Sequence, residues 1–238
     1  MEDEGTNVLI KVIKFNDLGF ANHGWLKARH HFSFASYYDP DRMGFGAIRV
    51  INDDVIAAGM GFDTHPHRNM EIITYVKTGA ITHKDSQGNE GRTAAGDVQV
   101  MSAGSGVFHS EFNKEGEATT LYQIWIEPNV TGVTPTWKAH SFPKGMVTDK
   151  LSLLVSGEGS APLTIHQDAF IYAGSLSKGT TIIHQIVNQA YLLVVDGALE
   201  VDGERIEKGD GVEIVDLKEL TLTAVTEAQV LLLDVPDE

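Results

Sequence analysis

Two short stretches carry side chains able to do metal chemistry. One reads Gly59-Met60-Gly61-Phe62-Asp63-Thr64-His65-Pro66-His67, with two histidines two residues apart. The other reads Gly104-Ser105-Gly106-Val107-Phe108-His109-Ser110-Glu111, with an imidazole and a carboxylate at the same spacing. In an extended strand, residues two apart point to one face. If both faces look into a common interior, three neutral nitrogens and one anionic oxygen converge. That donor set suits a borderline divalent metal and leaves positions open for water, substrate or dioxygen. With 10 histidines in 238 residues, one His-x-His pair arises easily by chance. Two stretches at matching parity, each beside a glycine-rich turn, are a stronger signal.

Two neighbours compete as ligands. Glu71 lies four residues after His67 and shares its parity, so it is a rival ligand to Glu111. His83 is a second rival, although a solvent-facing strand histidine is the simpler reading. Arg68 has the opposite parity and is expected to point away from a metal, and Phe62, Phe108 and Phe112 also differ in parity from the ligands. Ordinary packing is the expected role for most of these three rings, with a pocket wall as the alternative.

The elements that must hold these residues read as strands. Runs rich in Val, Ile, Leu and Tyr recur at Ala47–Ile51, Glu71–Val76, Val98–Met101, Leu121–Ile126, Tyr191–Val195 and Val230–Leu233, separated by Gly, Asn and Asp. Two Asp-Gly pairs, at 196–197 and 202–203, bracket Ala198–Val201 as tight hairpin turns would. Long amphipathic helices are not evident, so an all-β barrel or jelly roll is expected.

An internal repeat refines that expectation. Tyr75-Val76-Lys77-Thr78-Gly79 followed by Gly96-Asp97-Val98 resembles Val194-Val195-Asp196-Gly197 followed by Gly209-Asp210-Gly211-Val212. Two similar β-barrels are therefore expected, one over 1–135 that binds metal and one over 136–238 that does not. The proline-bearing segment after Glu127 is the expected connection. Ungapped alignment puts Ile183 and Gln185 opposite His65 and His67, and Leu222 and Ala224 opposite His109 and Glu111. None of these four is a plausible metal ligand. His184 enters register only with a one-residue slip.

Composition excludes several classes. Acidic residues number 33 against 18 basic ones, a formal charge of −15, which opposes nucleic acid and anionic membrane surfaces. The absence of cysteine removes disulfides, thiolate ligands and thiol nucleophiles. The acidic start Met1-Glu2-Asp3-Glu4 lacks the features of a signal peptide, and no apolar run is long enough to span a bilayer. A cytoplasmic protein is the expectation.

Gly59, His65, His67, Glu71 and Gly79 resemble the first cupin motif, with one extra residue before the last glycine. Gly96, Gly104, His109 and Asn113 resemble the second, although Ser102 stands where proline is usual and a residue is inserted before the histidine. Among cupins, His65-Pro66-His67-Arg68, Gly96-Asp97-Val98-Gln99 and Gly106-Val107-Phe108-His109-Ser110-Glu111 look like the pirin family. So do His31-Phe32-Ser33-Phe34, Tyr122-Gln123-Ile124-Trp125-Ile126 and His166-Gln167-Asp168. The resemblance covers nearly the whole chain and is nearest to bacterial pirin-like quercetin 2,3-dioxygenases.

It implies a bicupin, two jelly-roll-like barrels with one mononuclear metal in the first. The ligands carry over to His65, His67, His109 and Glu111, which favours Glu111 over Glu71. The implied metal is iron(II), with nickel, cobalt, copper and zinc as alternatives. The implied activity is opening of a flavonol such as quercetin by dioxygen with release of carbon monoxide, Glu111 serving as ligand and general base. The rival function is a non-enzymatic, metal- and redox-responsive regulator that binds another protein.

Overall fold

The computed structural model describes residues 9–143 and 148–237. Strands dominate, and the single helical element among the described residues is the 3-10 turn Phe15–Asp17. The apolar runs read from sequence form the strands Ile48–Ile56, Glu71–Thr78, Val98–Ser102, Thr119–Ile126, Gln189–Asp196 and Ala228–Val235. No helix among the described residues is long and apolar enough to cross a membrane.

The chain divides into two compact units. One runs from Leu18 through the strand Thr136–His140 and includes Leu154–Asp168. Its larger sheet orders Thr136–His140, Val98–Ser102, Glu71–Thr78, Thr119–Ile126, Ile48–Ile56, Leu26–His30 and Gly19–Asn22. Its smaller sheet orders Gly61–His67, Val107–Phe112, Ala80–Asp85 and Glu90–Ala94. The backbone ladders of this unit group into two sheets.

Side-chain alternation divides the inner face of this larger sheet into bands. Along Glu71–Thr78 the inward positions are Ile72, Thr74 and Val76; along Thr119–Ile126 they are Leu121, Gln123 and Trp125. Val76 and Leu121 join Leu26, Ala28, Ile56 and Ile81 in one apolar cluster. Ile72 joins Met101, Ala103 and Val107 in another, with Trp125 and Trp137 packed against it. Between the clusters runs a polar row in direct cross-strand register: Gln99, Thr74, Gln123, Asn52 and His30. All five are buried. Such a band is costly unless its groups are hydrogen-bonded, and here His30 bonds Asn52 and Gln99 bonds Thr74.

The second unit repeats the plan with an apolar interior. Its smaller sheet orders Thr181–Gln185, Glu219–Ala224, Ala198–Val201 and Glu204–Glu207. At the positions equivalent to Ile72, Thr74 and Val76 it has Ala190, Leu192 and Val194, all in a core shared with Val212, Leu222, Ala224, Val230 and Leu232. Each buried Val, Leu or Ile side chain here contributes roughly 1.5–3 kcal/mol.

Two sequence expectations change. A single cut at 135/136 does not describe the units, because the strand Leu9–Ile13 pairs with Gly211–Val215 of the second unit. The expected connection also contains a strand, Thr136–His140, which pairs with Val98–Ser102 in the first unit. Leu9–Ile13 supplies partners to a strand that would otherwise be a free edge.

Candidate metal centre

Three neighbouring strands of the smaller sheet build the site. Gly61–His67 and Val107–Phe112 pair antiparallel, with His109 opposite His65 and Val107 opposite His67. On its other side Val107–Phe112 pairs with Ala80–Asp85, with His109 opposite Asp85 and Glu111 opposite His83. His65, His67 and His109 each direct a ring nitrogen to one point, all within 4.8 Å of one another. The Nε2 atoms of His65 and His109 are 3.0 Å apart.

The pairing of Gly61–His67 with Val107–Phe112 shifts register between His109 and Glu111, where Phe62 stands opposite Glu111. This bulge gives the histidine strand an extra residue and reverses its parity before His65. Phe62 is thereby brought to the cavity, its ring centroid 5.2 Å from Trp25 and 6.5 Å from His65. A strict period of two did not foresee this. Gly61 makes the approach feasible, since a Cβ there would overlap the Glu111 carbonyl oxygen. Phe108, by contrast, is exposed.

Glu111 is 2% exposed. Its Oε1 accepts from Gln99 Nε2 at 2.7 Å and from Thr74 Oγ1 at 3.4 Å; its Oε2 accepts from Gln123 Nε2 at 2.7 Å. The polar row of the larger sheet thus closes on this carboxylate. Burial pushes the carboxyl up to about 7, against these three donors, which favour the anion. Glu111 does not share the point where His65, His67 and His109 meet. It forms a second, overlapping group with His109 and His83, again within 4.8 Å.

His83 corrects the solvent-facing reading: it is 0% exposed. Its ring stacks on Trp137, with centroids 4.9 Å apart and planes 6° from parallel, and its Nε2 lies 2.9 Å from Asp85 Oδ2. Burial lowers the pKa of His83, opposed by Asp85. Burial also lowers His67 to about 4 and His109 to about 2, with neighbouring imidazoles adding to both shifts. These three rings are therefore neutral near pH 7.

Glu71 points elsewhere. It is buried and accepts from Ser102 Oγ at 2.6 Å, and burial raises its carboxyl. The serine that replaces the usual proline is thus the partner of this carboxylate. In the second unit the inward residues of Thr181–Gln185 are Ile182 and His184, whereas Ile183 and Gln185 are exposed. The slipped register therefore holds there. His184 packs on Tyr172 at 4.6 Å and pairs across the sheet with Leu220.

The imidazole cluster fits a divalent ion. Metal–nitrogen bonds of about 2.1 Å at right angles place two nitrogens about 3.0 Å apart, the spacing of His65 and His109. Neutral rings have lone pairs to give. Beside them lies a cavity of about 460 Å³ lined by His23, Trp25, Phe34, Phe62, Gln123 and Trp125, with His65 and His67 in its wall. Trp125 packs edge-on against His67 at 4.9 Å and against Phe34 at 5.5 Å. From sequence His83 stood only as a rival ligand, and Asp85, Gln99 and Gln123 had no role. The available signals were the His-x-Asp spacing at 83 and 85, and glutamines placed inside otherwise apolar strands.

A two-domain cupin with this histidine-rich interior defines a class, and comparison with known proteins places the chain within it. Residues 13–126 match the pirin family model, and residues 153–235 match that of the quercetinase C-terminal cupin domain. The chain is 50% identical over 92% of its length to a pirin-like protein of Caulobacter vibrioides, covering 97% of that protein. It is 44% identical over 96% of its length to a quercetin 2,3-dioxygenase of Escherichia coli, covering 99% of it. The crystal structure of the bacterial pirin YhhW from Escherichia coli in complex with nickel(II) superposes with a TM-score of 0.91 at 43% identity, over 97% of this chain and 100% of that one. The chain belongs to the pirin family of cupin proteins.

Proposed function

We propose that the protein is a metal-dependent dioxygenase that opens the heterocyclic ring of a flavonol such as quercetin and releases carbon monoxide. The observation that carries this reading is the convergence of the His65, His67 and His109 imidazoles beside an aromatic cavity, with His65 and His67 in its wall. A volume of about 460 Å³ lies inside the roughly 300–1,000 Å³ range of small-molecule sites. Its flat rings suit a planar polyphenol. The relative named quercetin 2,3-dioxygenase and the nickel(II) complex of YhhW support the same reading.

His65, His67 and His109 would hold the ion, and Glu111 would join as a fourth ligand by swinging from its glutamine partners toward them; iron(II) is our assignment, with nickel, cobalt, copper or zinc as alternatives. When bound, such an ion supplies Lewis acidity toward a substrate oxygen and a route for electrons to dioxygen. Trp25, Phe34, Phe62 and Trp125 bind and orient the substrate and keep water away. Glu111 takes the proton of the substrate hydroxyl on Oε2, the oxygen now held by Gln123. A carboxyl with a pKa of about 7 matches a general base working near neutrality. Gln123 lines the cavity while Glu111 is buried behind it, so this role requires Glu111 to exchange its Gln123 bond for the substrate.

The test is anaerobic protein loaded with each metal in turn, mixed with quercetin and then exposed to air. The expected result is bleaching of the flavonol band with release of carbon monoxide, lost in His109→Ala. No bleaching with any metal rejects the reading. Metal- and oxidation-dependent retention of a basic protein partner, insensitive to flavonol, would instead favour the regulatory function that a charge of −15 accommodates.

A further inference from the structure

On the Nδ1 side of His109 lies a chain of groups that the proposed function does not use. His109 Nδ1 is 3.4 Å from His83 Nδ1, and His83 Nε2 is 2.9 Å from Asp85 Oδ2. Asp85 is itself fixed. Its Oδ1 accepts the backbone N–H groups of Gln87 at 2.9 Å and Asn89 at 3.0 Å, and the Asn89 side-chain amide donates to both of its oxygens.

Hydrogen-bond direction follows from these contacts. A carboxylate only accepts, so the hydrogen between Asp85 and His83 sits on His83 Nε2. A neutral imidazole has one N–H and one lone pair, which makes His83 Nδ1 an acceptor. The hydrogen between the two Nδ1 atoms must then belong to His109, and the Nε2 of His109 is bare. As a neutral imidazole His65 reaches the same state by another route: its Nδ1 is 2.7 Å from the carbonyl oxygen of Asp63, which can only accept. Two bare nitrogens therefore face each other at 3.0 Å, a repulsive arrangement that a cation between them relieves.

We propose that Asp85 and His83 are positioning residues that fix His109 in the tautomer offering Nε2 to the metal. This rests on reading His65, His67 and His109 as a metal site, and it refines the choice between the two overlapping groups. The His83 Nδ1 lone pair is committed to the His109 N–H, so His83 supports a ligand rather than serving as one. A purely structural alternative would make the stack on Trp137 the reason for a histidine here.

Asp85→Asn separates these readings. The two backbone N–H groups at Oδ1 hold the amide oxygen in that place and turn the NH2 group toward His83 Nε2, while the Asn89 amide gives up its bond at the Oδ2 position and keeps the one to the oxygen. Every bond in the chain then reverses, and the His109 hydrogen moves to Nε2. Long-range nitrogen–proton NMR of metal-free protein reads the tautomers, and calorimetric titration with nickel(II) reads affinity. In the wild type, His65 and His109 should carry hydrogen on Nδ1 and His83 on Nε2. In Asp85→Asn, His109 should switch to Nε2–H and nickel affinity should fall about 10–100-fold. His83→Phe, which keeps an aromatic ring against Trp137, should show both His109 tautomers and weakened nickel binding.

A wild-type His109 with hydrogen on Nε2 overturns the proposal, as does an Asp85→Asn protein with unchanged tautomers and unchanged affinity. A structural role alone predicts a lower melting temperature with the His109 resonances unmoved. The tautomers are read without metal, so the two ideas fail separately. Predicted tautomers without nickel binding in the wild type would remove the metal site, and nickel binding with the opposite tautomers would remove the positioning role.

Discussion

His65 and His109 bring their Nε2 atoms to 3.0 Å across one strand pair, although 44 residues separate them in sequence. Direct cross-strand register creates this relationship, since His109 stands opposite His65 in the ladder. His67, two residues on, adds the third nitrogen on the same face. What the two strands cannot supply, a partner for Glu111, comes from Gln99 and Gln123 of the opposing sheet.

The bulge beside Gly61 is predicted to be essential for the cluster. A Cβ at this position would overlap the Glu111 carbonyl oxygen and crowd the Phe112 backbone, neither of which is a flexible side-chain end. Gly61→Ala should lower the melting temperature and weaken nickel(II) binding by at least tenfold in calorimetric titration. Wild-type affinity in a folded Gly61→Ala protein would show that the approach of these strands does not matter.

Asp54 gives a pH-dependent prediction. It is buried, and burial together with Asp53 and Glu111 raises its carboxyl to about 8. The unfolded chain releases this proton near pH 4, whereas the native protein keeps it until about pH 8. Across that window the native state binds more protons, so this group's contribution to stability falls as pH rises and is fully lost above about pH 8. Asp54→Asn removes the effect. Melting of metal-free protein should show the variant gaining on the wild type by a few kcal/mol between about pH 4 and about pH 9. An offset independent of pH would contradict the raised carboxyl.

Ser102 should matter to the fold and not to the metal. Its hydroxyl donates to the buried Glu71 carboxylate at 2.6 Å. Ser102→Ala should cost about 1–3 kcal/mol in denaturant unfolding, the usual penalty for leaving a buried acceptor unsatisfied. Metal stoichiometry should remain unchanged. Loss of the metal in this variant would return Glu71 to the list of ligands.

Trp125 links the cavity to His67 through its edge-on contact. Trp125→Leu should raise the KM for a flavonol about tenfold, with nickel(II) affinity changing by less than threefold, since an aromatic contact of this kind is worth about 0.5–1.5 kcal/mol beyond its buried area. Steady-state kinetics and titration on one preparation check both. An unchanged KM would remove this ring from the substrate wall.

Much of this arrangement was legible in the sequence because strand parity is a local property. Period-two spacing in His65-x-His67 and His109-x-Glu111 brought four side chains to one sheet, and the repeated Gly-Asp signals separated two similar β units. Other features depend on tertiary pairing. The bulge that turns Phe62 inward arises where two distant strands meet. His83 looks like a surface residue until Trp137, on a strand in the expected connection, covers it. The transfer of Leu9–Ile13 to the second unit follows from edge pairing with Gly211–Val215, which no local pattern announces. Glu111 belongs by parity with the histidines, yet the inward glutamines draw its carboxylate toward the opposing sheet.

Locating the ion itself tests the central claim most directly. Crystals grown with nickel(II) and measured at the nickel absorption edge give its position independently of activity. One anomalous peak per chain is expected, bonded to His65, His67 and His109 through Nε2 of His65 and His109. A peak held by His83, His109 and Glu111 without His65 and His67, or no peak in protein soaked at saturating nickel, would contradict it.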